Sequence, residues 1–331
     1  MLKPKKPTTM RDVALALSSG GARGLAHIGA IEELEQQGYR IRSVAGCSMG
    51  ALVGGMYAAG RLAEFKEWMQ TVDRRKMLSL LDLSLSINHL VKGEKVIDAL
   101  KEIVPDVAIE DLPVEYQAIA TDWKNGREVV FSKGSLYDAI RASISLPLFF
   151  NPVRRGDMIL VDGGVVNPLP LKQASNMAGD MLVAVNVSGS YWGGETKARQ
   201  LFEARRRHSR SLPLNIIASL IPEGLDVNYF SLTQRMCGLM IQQNAALSIE
   251  LYKPEVLVDI PMDRFGSFEY DHVDKISTFG RTKMRNALHA YAEQLSQQAT
   301  AANHSFTSQA MAWLQKLLGL KHETLPESRP K

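Results

Sequence analysis

The residues that carry the clearest chemistry form the segment Gly46-Cys47-Ser48-Met49-Gly50. An apolar run at 41–45, predicted to be a strand, precedes it, and small residues at 49–59, predicted to be a helix, follow it. A tight G-x-S-x-G turn between strand and helix holds a serine hydroxyl clear of the fold, and glycines at Gly46 and Gly50 allow that turn. The pattern predicts a nucleophile elbow with Ser48 as the attacking residue of a serine hydrolase.

A second chemical feature is the stretch Ser19-Gly20-Gly21-Ala22-Arg23-Gly24, which lies between a predicted strand and a predicted helix. Glycines let successive N–H groups point at one spot, and the helix start adds a partial positive charge. The stretch could hold a phosphate or the oxyanion of an attacked ester, or it could be a plain tight turn. A dinucleotide fingerprint needs glycine where Ser19 stands, which disfavours nucleotide binding. Arg23 could dock the loop, meet a phosphate head group or stand in solvent.

The general base must come from the seven histidines or the acidic residues. The chain order of an α/β-hydrolase would allow His272 or His289, but neither follows a recognisable strand end. Asp162 is the better candidate, because it ends the apolar run 158–161, precedes two glycines and is expected at the carboxyl edge of the sheet beside the elbow. A carboxylate can accept the serine proton directly in a partly desolvated site. The alternative is an aspartate that only caps a turn.

The elements that must position these residues alternate between strands and helices. A helix over 25–37 joins the first two strands into a βαβ unit. Strands are predicted at 13–18, 41–45, 115–120, 128–131, 158–161, 182–187 and 256–260. This order predicts an α/β fold with a mostly parallel central sheet and helices on both faces, in three layers.

Composition narrows the classes of partner. The 331 residues carry a net charge of +4 and no basic stripe with interleaved aromatics, which excludes nucleic acid as the expected partner. Two cysteines, Cys47 and Cys237, form no disulfide framework and indicate a cytoplasmic location, with contact at the inner face of the membrane left open. The apolar run 13–17 is too short for a signal peptide. No His, Cys and acidic cluster has ligand spacing, so neither a metal nor a cofactor is expected.

The loop at 19–24, the elbow at 46–50 and the triplet Asp162-Gly163-Gly164 resemble, in this order, the patatin-like phospholipases. The similarity is to small bacterial members related to the catalytic domain of neuropathy target esterase. It covers about residues 12–190 and takes in an A-S-x-x-x-P block at 142–147 and the stretch Asn167-Pro168-Leu169-Pro170. One departure is Ser19, where many members carry glycine.

The resemblance implies Ser48 as nucleophile, Asp162 as sole general base and the amides of Gly20, Gly21 and Ala22 as oxyanion hole. Residues that would support these motifs are Arg23, Gly24, Gly46, Gly50, Gly163 and Gly164. The implied activity is hydrolysis of phospholipids, lysophospholipids or other fatty acyl esters. A thioesterase or acyltransferase with the same dyad, or a non-catalytic regulator, is the alternative.

Four segments are predicted along the chain. A disordered basic N-terminus at 1–11 precedes a catalytic domain at 12–300, whose motifs lie in 12–190 and whose accessory part or lid spans about 190–255. Within it, 201–221 reads as a cationic lid or as a buried helix after a solvated loop. An amphipathic helix at 301–322 could lie on a membrane, pack on the domain or mediate homo-oligomerisation. A disordered tail is expected at 323–331.

Overall fold

The computed structural model describes residues 11–72, 76, 94–146, 150–190, 229–266 and 269–317. The predicted lid at 201–221, the tail at 323–331, the first ten residues and Pro147 of the A-S-x-x-x-P block lie outside these residues. Within the described part of the chain, no helix is long and apolar enough to cross a membrane.

One mixed sheet organises the described residues, with the strand order β5-β6-β3-β2-β1-β7-β8 and with β4 also paired to β3. The strands are β1 Asp12–Leu17, β2 Arg40–Cys47, β3 Glu115–Asp122, β4 Arg127–Phe131, β5 Val153–Arg155, β6 Met158–Asp162, β7 Met181–Gly189 and β8 Val256–Pro261. Each predicted strand is present, with ends that differ by at most two residues. Strand β5 was not predicted, because three residues with two exposed arginines show no apolar pattern.

The sheet has a parallel and an antiparallel part. Strands β3, β2, β1, β7 and β8 pair parallel with one another, in this order across the sheet. Strands β4 and β6 pair antiparallel to β3, and β5 pairs antiparallel to β6. The predicted mostly parallel sheet is therefore confirmed. Its antiparallel strands, β4, β5 and β6, all lie on the side of the sheet that ends in β5 or pair with β3.

Helices cover both faces of the sheet. They are α1 Ala26–Gln36, α2 Met49–Ala58, α3 Leu62–Gln70, α4 Glu94–Lys101, α5 Leu136–Ser143, α6 Leu171–Ala174, α7 Tyr229–Tyr252 and α8 Val273–Leu317. Leu17 and Val44 face α2, where they lie beside Gly54. Ala16 and Ala45 point the other way and pack with residues of α6 and α7. Side chains alternate between the faces of a strand, so the three-layer prediction is confirmed.

Helix α8 is longer than the sequence pattern suggested. The helix predicted from residue 301 is the C-terminal part of a helix that begins at Val273. The reason is local: between Gly280 and the end of α8 at Leu317 there is neither glycine nor proline to interrupt it. The chain divides into compact units at 1–287 and 288–331.

The first turns of α8 pack closely on α1. A Cβ atom added to Gly29 of α1 would lie 1.8 Å from a backbone oxygen of α8, and one added to Gly280 of α8 would lie 2.0 Å from a backbone oxygen of α1. Arg285 donates two hydrogen bonds of 2.8 Å to the buried carboxylate of Glu33 in α1. These contacts hold α1, and with it the glycine-rich loop that leads into α1.

Candidate active site

Ser48 occupies a sharp turn between β2 and α2. Its φ of 54° and ψ of −120° are unusual for a residue other than glycine, and neighbouring atoms hold it there. A Cβ atom on Gly46 would lie 2.4 Å from the Gly50 carbonyl oxygen, and one on Gly50 would lie 2.3 Å from that of Leu17. Only glycine therefore fits at either position, and the turn has the geometry of a nucleophile elbow.

Asp162 is the partner of the Ser48 hydroxyl. Ser48 Oγ donates a hydrogen bond of 2.5 Å to Asp162 Oδ2, and the Gly164 N–H donates one of 2.7 Å to Oδ1. The Asp162 side chain is buried, and this burial raises its pKa to about 6 against the lowering effect of both hydrogen bonds. The carboxylate is thus ionised at neutral pH yet more basic than an ordinary aspartate, as a proton acceptor requires.

The register of β3 explains how two residues that are 114 positions apart meet. Strand β4 covers one edge of β3 from Ala118 to Asp122. On the opposite edge β2 pairs with β3 up to Ile119, and β6 takes over from Ala120. Because β6 is antiparallel, its last residue, Asp162, runs into the end of β2. The expected place of the acid is right, but the acid reaches it from an antiparallel strand instead of a parallel one.

The glycine-rich loop lies beside this elbow. The Ser19 N–H donates to the Pro168 carbonyl at 2.8 Å, and a Cβ atom on Gly20 would lie 2.3 Å from a methyl group of Val187. At the other end of the loop, a Cβ atom on Gly24 would lie 2.3 Å from the side chain of Met49, the residue after Ser48. Residues Gly21–Leu25 form a 3-10 turn that continues into α1.

The buried side chains of Arg23 and His27 hold the glycine-rich loop in place. Arg23 is buried and its Nε donates to the Val187 carbonyl of β7 at 3.0 Å, which assigns it to loop docking and excludes the solvated alternative. His27 lies behind the loop, with Nε2 2.9 Å from the Ser18 carbonyl. Burial lowers the pKa of His27 to about 4, so it is neutral, and because a carbonyl only accepts, Nε2 carries the proton.

In the described part of the chain, neither histidine that the chain order allowed forms a hydrogen bond to Ser48 or Asp162. His272 is exposed and lies 2.9 Å from its neighbour Asp271. His289 lies exposed on α8 in the second compact unit. Among the described residues, no group of three or more His, Cys, Asp or Glu could hold a metal ion.

Two residues near the dyad were not singled out from the sequence. Ser143 is buried; its Oγ accepts a 2.9 Å hydrogen bond from the Ser48 N–H and donates one of 2.5 Å to the Ile119 carbonyl. The A-S-x-x-x-P block contains Ser143, but the pattern alone indicates no role for it. Tyr270 is half-buried; desolvation raises its pKa to about 12, and the charges of Arg23 and Asp162 both act on it. No sequence signal links Tyr270 to the dyad.

Asn167, after the Asp162-Gly163-Gly164 triplet, ties the following segment to β4. Its side-chain amide donates to Glu128 at 2.8 Å and to Gln173 at 3.0 Å. Gln173 in turn donates to the same Glu128 carboxylate. Since the Pro168 carbonyl accepts the Ser19 N–H, this network also supports the glycine-rich loop.

Comparison with known proteins supports the motif-based resemblance. The family model of patatin-like phospholipases matches residues 15–175. An uncharacterized NTE family protein of Mycobacterium tuberculosis is 48% identical over 181 residues, which are 55% of this chain and 50% of the relative. Neuropathy target esterase of Drosophila melanogaster is 31% identical over 186 residues, 54% of this chain and 13% of the relative.

One further sequence relative and one solved structure also match this chain. Patatin-like phospholipase domain-containing protein 6 of Mus musculus is 31% identical over 186 residues, covering 54% of this chain and 14% of the relative. VipD from Legionella pneumophila has a TM-score of 0.42 at 14% identity, over 85% of this chain and 67% of that one. The match therefore spans at most half the length of these curated sequence relatives. Within that limit, residues 15–175 of this chain are a patatin-like phospholipase domain.

Proposed function

We propose that this chain is a serine lipid acyl hydrolase in which Ser48 is the nucleophile and Asp162 the sole general base. The observation that carries the proposal is the 2.5 Å hydrogen bond from the strained Ser48 to a buried carboxylate whose pKa is raised to about 6. Membership of the patatin-like phospholipase family supports the same class of reaction.

In the first half of the reaction, Asp162 Oδ2 accepts the hydroxyl proton as Ser48 Oγ attacks the ester carbonyl carbon. Negative charge develops on the carbonyl oxygen, and the amides of Gly20, Gly21 and Ala22 would donate to it. The tetrahedral intermediate then expels the alcohol, which takes the proton from Asp162 and leaves an acyl group on Ser48. Loss of one oxyanion donor typically lowers the rate by about 10²–10³-fold.

In the second half, Asp162 accepts a proton from a water molecule that attacks the acyl-Ser48 carbonyl. The same amides hold the second oxyanion, and the collapse of this intermediate returns the proton to Ser48 Oγ and releases the fatty acid. Gly164 keeps Asp162 oriented through both halves, because its N–H bonds Oδ1 and leaves Oδ2 for the proton.

The substrates we propose are phospholipids, lysophospholipids or other fatty acyl esters. The names of the relatives support this class: an esterase in Drosophila melanogaster and a phospholipase domain in Mus musculus. No cofactor takes part in the mechanism, since the dyad and the backbone amides supply base, nucleophile and oxyanion donors.

Labelling with a fluorophosphonate probe and hydrolysis of a medium-chain acyl ester test the proposal. We expect Ser48→Ala to lose both, and Asp162→Asn to lose most turnover. Ser175→Ala is the matched control, because this serine is exposed and bonds only a local carbonyl. Activity that survives Ser48→Ala would refute the dyad, and a folded native chain inert to both reagents would favour the non-catalytic alternative. Preference for thioesters, or transfer to an added alcohol, would instead indicate a thioesterase or acyltransferase.

A further inference from the structure

Two β-hairpins project side by side from the edge of the sheet that carries the dyad. The β3–β4 turn follows Asp122, and the β5–β6 turn precedes Met158. Strands β3 and β6 pair antiparallel, and the Trp123 N–H donates to the Ile159 carbonyl at 2.8 Å, so both turns lie at the same end. Asp162 lies three residues beyond Ile159, which corresponds to about 10 Å along β6.

Trp123 at the first turn is 67% exposed, although it is the largest apolar side chain type. Indole rings with one face in water are typical of membrane interfaces and binding surfaces. Around it, the turns at 122–127 and 154–157 carry four basic residues against two acidic ones, a net charge of +2. One of these acids, Asp122, is buried beneath Arg127 at 3.3 Å, so the exposed charge is chiefly positive.

Exposed apolar side chains also lie near Asp162. Leu146 is 40% exposed and follows Ser145, whose carbonyl accepts the Asp162 N–H at 2.9 Å. Val165 and Val166, just after the Asp162-Gly163-Gly164 triplet, are 47% and 37% exposed. Exposed apolar side chains thus lie close to Asp162 along the chain and through the Ser145 carbonyl.

We propose that the hairpin surface, formed by Trp123, Lys124 and Arg154, binds the head-group layer of an anionic lipid bilayer and holds the dyad at the membrane. The inference rests on the proposed lipid hydrolase function. Cations meet the anionic head groups, the indole enters the interface, and the apolar residues beside Asp162 face the acyl layer. An exposed indole among exposed cations, on the sheet edge that carries Ser48 and Asp162, suits the surface of an anionic lipid layer.

The test measures sedimentation with vesicles in the Ser48→Ala background, so that hydrolysis does not alter the lipid. We expect binding to vesicles of equimolar phosphatidylglycerol and phosphatidylcholine and much weaker binding to pure phosphatidylcholine. Trp123→Ala should weaken binding about tenfold, and Lys124→Gln with Arg154→Gln about 25-fold, at about fivefold per cation.

Matched controls separate the surface from general effects. Leu251→Ala removes a side chain that is 71% exposed, at the amino end of the sheet, and should not change binding. Lys101→Gln with Lys172→Gln changes the net charge equally, on α4 and α6, and should weaken binding less than twofold. Equal binding by Trp123→Ala, equal loss in the control pair, or no preference for anionic vesicles would overturn the proposal.

A second measurement uses the variants with Ser48 intact. Hydrolysis of a soluble short-chain ester should stay within twofold of the native rate, while hydrolysis of the same ester chemistry in anionic vesicles falls with binding. Absence of soluble turnover in the native chain would refute the hydrolase function but leave vesicle binding as an independent result. If Trp123→Ala hydrolyses both the soluble ester and the ester in vesicles at the native rate, the proposed membrane-binding surface is refuted, but the hydrolase function is not.

Discussion

Ionisation of Asp162 should lower the free energy of unfolding, although the same ionisation is required for activity. Burial raises its pKa from 3.8 to about 6, so the folded state holds the proton more tightly than the unfolded state does. Stability from this group is fully present below pH 3.8 and is lost as the pH rises through 6. At 1.36 kcal/mol per pKa unit, the ionised carboxylate destabilises the fold by about 3 kcal/mol at pH 8.

The perturbation is Asp162→Asn, which removes the charge. A carboxamide oxygen can still accept the Gly164 N–H, and its N–H can donate to Ser48 Oγ, so hydrogen bonding at the site is retained. Relative to the native chain, the variant should gain stability between pH 5 and pH 8 by about 1.4 kcal/mol, the part of the linkage that falls in this window. Its turnover should be lost at every pH.

The assay is equilibrium urea unfolding of both proteins at pH 5 and pH 8. Asp12→Asn serves as a control, because hydrogen bonding by Arg40 lowers the pKa of Asp12 below 3.8. Its linkage therefore falls below the assay window, and its stability difference from the native chain should not change between pH 5 and pH 8. The same ionisation should appear in catalysis: kcat/KM of the native chain on a soluble ester should fall as the pH drops through about 6. A stability difference between Asp162→Asn and native that does not change with pH would refute the reasoning.

Two further predictions concern the groups around the dyad. Ser143→Ala removes the hydroxyl that bonds the Ser48 N–H and the Ile119 carbonyl, and should lower the free energy of unfolding by about 1–3 kcal/mol and reduce kcat more than it raises KM; an unchanged kcat would contradict the positioning role. Gly20→Ala should abolish turnover, because its Cβ would lie 2.3 Å from a methyl group of Val187. The double variant with Val187→Ala removes that methyl group and should recover activity; failure to recover would contradict this steric explanation.

Much of the site could be predicted because its parts are local in the chain. The elbow depends on contacts among Gly46, Ser48 and Gly50 within one turn, and residue types at fixed spacing specify such a turn. Most of the predicted strands depend on runs of apolar residues, which the structure buries in the sheet. Strand β5 has no such run; it exists because the edge of β6 offers it hydrogen bonds.

The roles of Arg23 and Ser143 show where local reasoning ends. From the sequence Arg23 was compatible with solvent, a head group or the loop, and the choice depends on the Val187 carbonyl, 164 residues away. Ser143 lies in a recognisable block, yet its function depends on the Ser48 N–H, 95 residues away. Hydrogen bonds between segments this distant leave no periodicity in the chain.

By itself the sequence determined the nucleophile turn, the candidate acid and the alternation of strands and helices, because each follows from the types of neighbouring residues. Only the tertiary structure decided that the Ser48 hydroxyl meets the Asp162 carboxylate. Their meeting depends on β2 and β6 sharing one edge of β3 from opposite directions, and on burial that raises the pKa of the acid to about 6. Strand direction and burial are properties of the packed sheet, since they arise from contacts between segments that lie far apart in the chain.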